Sequence, residues 1–295
     1  MLHLRFAGPS ECPADPFDQP QSSVHVWYNR RGGVVARGFR DGGYHWMAWP
    51  YLATFRFGVD DPFITAYARP DAPVDVIWDV YRRTVLPMAL QVLGWEALHA
   101  SAIVATVKGA SQPGIVAFSA VSETGKSTVA YALRRRGFPQ WSDDGVVFRV
   151  EEHASALPLP FAARLRPESC TMFGVDPAAF AHVEENGAGE QQYVEPLPIT
   201  AICVLTRTAE GPSERIRAME PAEAFPALLI HAHEFDPANA ERRARMMKTY
   251  LDLVAHVPVY EVAFLPDRNR MSHLLDVIVD ALGLRLPAAV QRGCA

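Results

Sequence analysis

The stretch Gly114–Val150, GIVAFSAVSETGKSTVAYALRRRGFPQWSDDGVVFRV, constrains the fold of this chain more than any other. An apolar run, Ile115–Phe118, ends in a turn of small residues. The turn leads into Gly125-Lys126-Ser127-Thr128 and then an amphipathic segment, with Val129 and Leu133 on one face and Ala130 and Ala132 as filler. Arg134, Arg135 and Arg136 fall in the last turn, where cations suit the helix dipole, and Gly137 suits the C-cap. An acid pair, Asp143-Asp144, precedes a second apolar run, Val146–Val150. Strand, phosphate loop, helix, acid, strand is the order in which proteins hold a nucleoside triphosphate and its magnesium.

The pattern G-x-x-x-x-G-K-[ST] works through geometry. Successive backbone N–H groups curl around phosphate oxygens, and the helix start behind them adds a partial positive charge. The predicted nucleotide-binding residues are Ala120, Val121, Ser122, Glu123, Thr124, Gly125, Lys126, Ser127 and Thr128. Lys126 would reach the β- and γ-phosphates of ATP, and the Ser127 hydroxyl would face Mg²⁺. Two positions depart from the pattern. Ala120 stands where Gly is usual, which such loops tolerate. Glu123 puts an acid beside triphosphate oxygens, and an arginine such as Arg164 would suit it as a partner. The run Glu123–Thr128 resembles the loop of heterotrimeric G-protein α-subunits, which also carry an acid there. The chain has no N-K-x-D guanine motif, so that resemblance stops at the loop.

A second string stands upstream: Leu98-His99-Ala100-Ser101-Ala102 opens a strand over Ile103–Val107. Taken together, LHASAIV, the loop and its helix, and WSDDGVVF resemble the catalytic domain of the HPr kinase/phosphorylase family. The nearest resemblance is to HPr kinase-like relatives, among them kinases of lasso-peptide precursors. Pro196-Leu197-Pro198-Ile199 leading into Ala201–Leu205, and Val257-Pro258-Val259-Tyr260, resemble the family's last strands. The resemblance covers roughly residues 95–285. It implies an α/β fold, a PEP carboxykinase/HPr kinase-like P-loop core behind a β-rich N-terminal region. The implied boundary separates 1–93 from a kinase domain over 94–295.

The resemblance also implies roles. His99 would lie near the reacting phosphate, and Lys126 would neutralise it. Of Asp143 and Asp144 one would ligate Mg²⁺ with Ser127 and the other would act as base on the accepting hydroxyl; Asp143 is the metal candidate. The expected activity is ATP- and Mg²⁺-dependent phosphorylation of a hydroxyl, with a serine of a peptide or small protein as acceptor. A small-molecule (sugar-type) acceptor is the alternative, and a non-catalytic nucleotide-binding sensor or scaffold the rival class. The C-terminal signature for phosphorolysis and hexamer contacts is absent, though the reading leaves room for a homo-oligomer. Where many relatives carry a basic residue before the Pro-Leu strand, this chain has Gln191-Gln192-Tyr193.

Composition narrows the field. At 295 residues the chain is long enough for two modest domains or one large one. A net charge of −5 argues against nucleic acid as the main partner. No apolar run reaches the length of a membrane span, and the N-terminus lacks the apolar core of a signal peptide. Cys12, Cys170, Cys203 and Cys294 are scattered with no C-x-x-C, which suits free thiols in a reducing cytoplasm.

Elsewhere the chain reads as follows. Residues 1–20 look like an irregular lead-in, and short β segments follow at Val24–Tyr28, Gly33–Phe39, Tyr44–Met47 and Ala53–Phe57. Their aromatics, Trp27, Tyr28, Tyr44, Trp46, Trp49 and Tyr51, would fill a small core or form a binding platform. Residues 74–94 have helical spacing, kinked or split at Pro87. Arg164 and Arg166 would face one way on a strand, and Glu184–Gln192 reads as a surface loop. Residues 221–254 read as helical with a break at Asp236-Pro237. His231 and His233 lie on that helix as structural groups, and Arg242, Arg243 and Arg245 on a solvated face.

Overall fold

The computed structural model describes residues 2–8, 11–12, 23–29, 31–41, 43–161, 163–176, 193–209 and 214–287. The chain divides into two compact units, Met1–Ala97 with His233–Met247, and Leu98–Ala232 with Lys248–Ala295.

The first unit is built on a six-stranded sheet in the order β1-β6-β5-β4-β3-β2. Its strands are β1 (His3–Ala7), β2 (Ser23–Tyr28), β3 (Val34–Asp41), β4 (Tyr44–Trp49), β5 (Ala53–Phe57) and β6 (Phe63–Ala68). From β2 to β6 each strand runs antiparallel to the next, as hairpin turns allow. Aromatic side chains hold the sheet face together: Phe39 stacks on Trp46 at 5.7 Å, and Trp46 on Tyr67 at 5.9 Å. Trp46 is core, whereas Tyr28 and Tyr51 are exposed.

The lead-in is not wholly irregular. His3–Ala7 forms β1, parallel to β6 with His3 opposite Phe63. The strand has no alternating burial, so the backbone ladder to a distant partner makes it, which local pattern cannot reveal. The helical stretch over 74–94 is continuous rather than split. α1 (Val74–Val80) passes through a π-helical turn, Tyr81–Val85, into α2 (Leu86–Val92), with Pro87 in the first turn of α2. The wider turn absorbs the N–H that proline lacks.

The segment 233–247 completes this unit with polar contacts. Gln91 Nε2 donates to the His233 carbonyl at 2.5 Å, and its Oε1 accepts the Phe235 amide at 3.2 Å. Arg242 grips Glu96 through two hydrogen bonds, 2.8 and 2.6 Å long, and both side chains are buried. Arg242 therefore does not lie on a solvated face, unlike exposed Arg243 and Arg245. Its partner is far away in sequence, and only a carboxylate there makes burial of a guanidinium tolerable.

β7 (Glu96–Leu98) ends the opening segment of the first unit, and in the second unit a sheet runs β10-β8-β9-β13, with β15 beside β13 and β14 beyond it. The strands are β8 (Ala100–Ala105), β9 (Gly114–Ser119), β10 (Gln140–Ser142), β13 (Leu197–Arg207), β14 (Arg215–Ala218) and β15 (Val259–Phe264). β13 forks. Its first residues pair with β12 (Ala154–Ala156), which pairs with β11 (Val146–Val150), and from Ile202 on it pairs with β15. β9, β13 and β15 are parallel. α3 (Lys126–Arg135) buries Val129, Ala130, Ala132 and Leu133 in a core with Phe118, Cys203 and Val262. α7 (Met271–Leu282) adds Leu274, Leu275 and Ile278 to that core. The remaining helices are α4 (Pro167–Phe173), α5 (Pro221–Leu229) and α6 (Ala240–His256). The fold of the chain is mixed α/β.

Candidate active site

The loop Ala120–Gly125 leaves the C-terminal end of β9, and α3 starts at Lys126. This is the crevice outside the carboxyl ends of parallel strands, where open α/β sheets bind ligands. Gly125 has φ +124°, which its lack of a Cβ permits. Glu123 also has positive φ, +74°, a strained setting for a residue with a side chain. Its carboxylate accepts a 2.5 Å hydrogen bond from Arg166. Residues 163–166 are irregular rather than a strand.

Lys126 is buried, and its ammonium donates to the Ala120 carbonyl at 3.2 Å. Burial pushes its pKa below the ordinary lysine value, against the pull of Asp144 and Asp143. The acid pair thus lies close to the loop lysine. Asp143 is buried and accepts hydrogen bonds from Ser101 Oγ at 2.6 Å, from the Arg164 amide at 2.8 Å and from Ser127. Burial first, and then the charge of Asp144, pushes the Asp143 carboxyl above the ordinary range despite those donors.

Asp144 differs from its neighbour. It sits in the turn before β11 with φ +65°, and its side chain is partly exposed. His99 Nε2 lies 4.0 Å from its Oδ1. His99 itself is fixed through its backbone: its carbonyl accepts Ser119 Oγ at 3.2 Å, and its amide donates to the His231 carbonyl at 2.8 Å. Lys126, Ser127, Asp143, Asp144 and His99, predicted from three separate strings, therefore converge on one end of the sheet.

Beside the loop a cavity of about 210 Å³ is lined by Thr124, Thr128, Met172, Arg207, Phe264 and Met271 among others. Thr128 shares a 3.0 Å hydrogen bond with Ser169 of α4, and Arg207 donates to the Thr124 carbonyl at 3.1 Å. Ser101, Ser169 and Arg207 also stand beside these groups, and the sequence reading leaves them unassigned. Ser101 alone carried a signal, since it stands two residues after His99, and neighbours at that spacing on a strand share a face.

The residue set suits a magnesium nucleotide. Asp143 and Asp144 crowd negative charge into one place, and a bound cation would relieve it. Among the described residues no group of three or more His, Cys, Asp or Glu side chains could hold a metal alone. A magnesium ion bound through one or two carboxylates, phosphate oxygens and water needs no such group. The surface loop Glu184–Gln192, and Cys294, lie outside the described residues. Cys170 and Cys203 are buried thiols. Among the described residues no helix is long and apolar enough to cross a membrane.

No family model and no curated protein matches the chain. Among solved structures it is similar to the Hpr(Ser) kinase/phosphatase from Coxiella burnetii, at 12% identity and a TM-score of 0.32, over 63% of this chain and 89% of that one. A likeness this distant says nothing of activity or substrate; the loop and the side chains around it have to speak for those.

Proposed function

We propose that this protein is an ATP- and Mg²⁺-dependent kinase with an HPr kinase-like core, and that it phosphorylates a hydroxyl, a serine of a peptide or small protein. The observation that carries the reading is the meeting of Lys126 with Asp143 and Asp144 at the helix start that follows β9. Phosphoryl transfer asks for positioning and charge neutralisation more than for covalent help from the protein. The loop amides and Lys126 would bind and orient the triphosphate. Ser127 and Asp143 are joined by a hydrogen bond and would hold Mg²⁺, which when bound neutralises charge on the phosphates. Asp143 suits that task because three donors fix it. Asp144 suits the base, because it is partly exposed and beside His99. It would take the proton of the acceptor hydroxyl as that oxygen bonds to the γ-phosphorus, and the bond to the β-phosphate oxygen breaks to release ADP.

The test is ATP binding by calorimetry, with turnover measured on serine peptides and on sugars. Lys126→Ala should weaken Mg·ATP at least about tenfold, about 1.4 kcal/mol. Asp143→Asn should weaken Mg·ATP as well. Asp144→Asn should bind Mg·ATP as the parent does and transfer phosphate at least ~100-fold more slowly. Full transfer by both Asp variants would overturn the kinase mechanism and leave a nucleotide-binding module.

A further inference from the structure

His231 reads in the sequence as a structural histidine on a helix, and the structure puts it elsewhere. α5 ends at Leu229, and the chain turns, with the His231 amide donating to the Leu228 carbonyl at 2.9 Å. It then runs beside Leu98-His99: Ala232 forms an antiparallel bridge with Leu98, and the His231 carbonyl accepts the His99 amide. The His99 carbonyl accepts the hydroxyl of Ser119, the last residue before the Ala120–Gly125 loop. Two hydrogen bonds thus tie His231 to the root of the loop.

Its side chain is buried, the residue being 7% exposed. Burial, and then the nearby charge of Lys126, holds the imidazole below the ordinary histidine pKa. The ring is therefore a neutral group with one N–H to give. Neither His231 nor His99, Asp143 or Asp144 lines the cavity at Thr124, Thr128 and Arg207.

We propose that His231 contacts the terminal phosphoryl group of the nucleotide, its imidazole N–H donating to a γ-phosphate oxygen next to the Lys126 ammonium. The proposal rests on reading Ala120–Thr128 as a triphosphate site. A hydrogen bond to an anionic oxygen in a buried setting is among the stronger kinds, so its loss is measurable.

The test compares Mg·ATP with Mg·ADP by calorimetry on the full chain, because ADP lacks the group that His231 would touch. His231→Ala should weaken ATP about tenfold and ADP less than about twofold. His231→Gln keeps an N–H donor and should recover part of the ATP loss. A thermal melt shows whether each variant folds; should the alanine variant not fold, the glutamine variant decides by its ATP-to-ADP ratio. An equal loss for both nucleotides would mean that His231 only supports the fold, and unchanged ATP affinity would mean no contact; either outcome overturns the proposal. Parent protein that binds neither nucleotide would remove the triphosphate site and this inference together. Parent binding with an unaltered ratio in the variants removes this inference alone.

Discussion

The two units bury charge in opposite ways. In the first, the carboxylate of Glu96 meets the guanidinium of Arg242 through paired 2.8 and 2.6 Å hydrogen bonds, so each charge has its own partner. In the second, the Lys126 ammonium donates to the Ala120 carbonyl, while Asp144 sits close enough to oppose the ionisation of Asp143. Two residues with side chains, Glu123 and Asp144, also hold positive φ there. The first arrangement is closed and the second is open to a ligand. Strain and ill-matched charge persist where the surrounding fold over-determines them, and a triphosphate with its cation would complete the set.

This comparison is broken or sharpened by experiments in both units. Arg242→Ala should have the largest effect. It leaves the buried Glu96 carboxylate alone and should cost about 3–5 kcal/mol in urea denaturation. Replacing both partners together, Arg242→Met with Glu96→Leu, should recover most of that loss. A loss under about 1 kcal/mol in the single variant would mean that the first unit is not closed in the sense argued.

Next is an acid effect in the same unit. His45 packs against Phe57 at 5.7 Å and Phe235 at 5.5 Å, and its Nδ1 is buried without a hydrogen-bond partner. Burial, with the Arg40 charge adding to it and Asp236 opposing, lowers its pKa from 6.5 to about 4. The folded value lies below the unfolded one, so the unfolded chain binds more protons between those pH values. Stability is complete above that window and falls as pH drops through it, by about 2 kcal/mol at pH 5 before solvent screening trims it. His45→Phe should flatten this acid limb in thermal melts between pH 7.5 and 5. Identical limbs in variant and parent would show that other groups govern it.

The smallest effect belongs to the loop. The Arg166–Glu123 pair is solvent-facing, so Arg166→Ala should change stability by less than about 1 kcal/mol. Glu123→Gly loses that pair but relieves the left-handed backbone, worth about 1 kcal/mol. The two should nearly cancel, and nucleotide affinity should hold or rise as a negative charge leaves the phosphates. A large loss of affinity would make Glu123 a structural brace and narrow the contrast between the units.

Much of the fold was legible because its signals are local. The apolar run before the loop, the Val129/Leu133 face and the arginine-rich end of α3 lie within one stretch of chain, and the turn residues between β2 and β5 are as local. Loop, histidine and acid pair were legible for the same reason. Long-range pairings were not. β1 exists because β6 is beside it, Arg242 is buried because Glu96 waits for it, and Glu123 meets Arg166 across more than forty residues of chain.

By itself the sequence determined the strand–loop–helix unit, since small residues, glycine and helix-forming spacing act through neighbouring backbone. Only the tertiary structure decided which donors hold Asp143, that Asp144 turns partly outward, and that His231 leaves its helix to lie beside His99. Those outcomes depend on which distant segments share a sheet, and burial then sets each group's charge and reach through desolvation. No local pattern encodes that, because the partners become neighbours only once the sheet has formed.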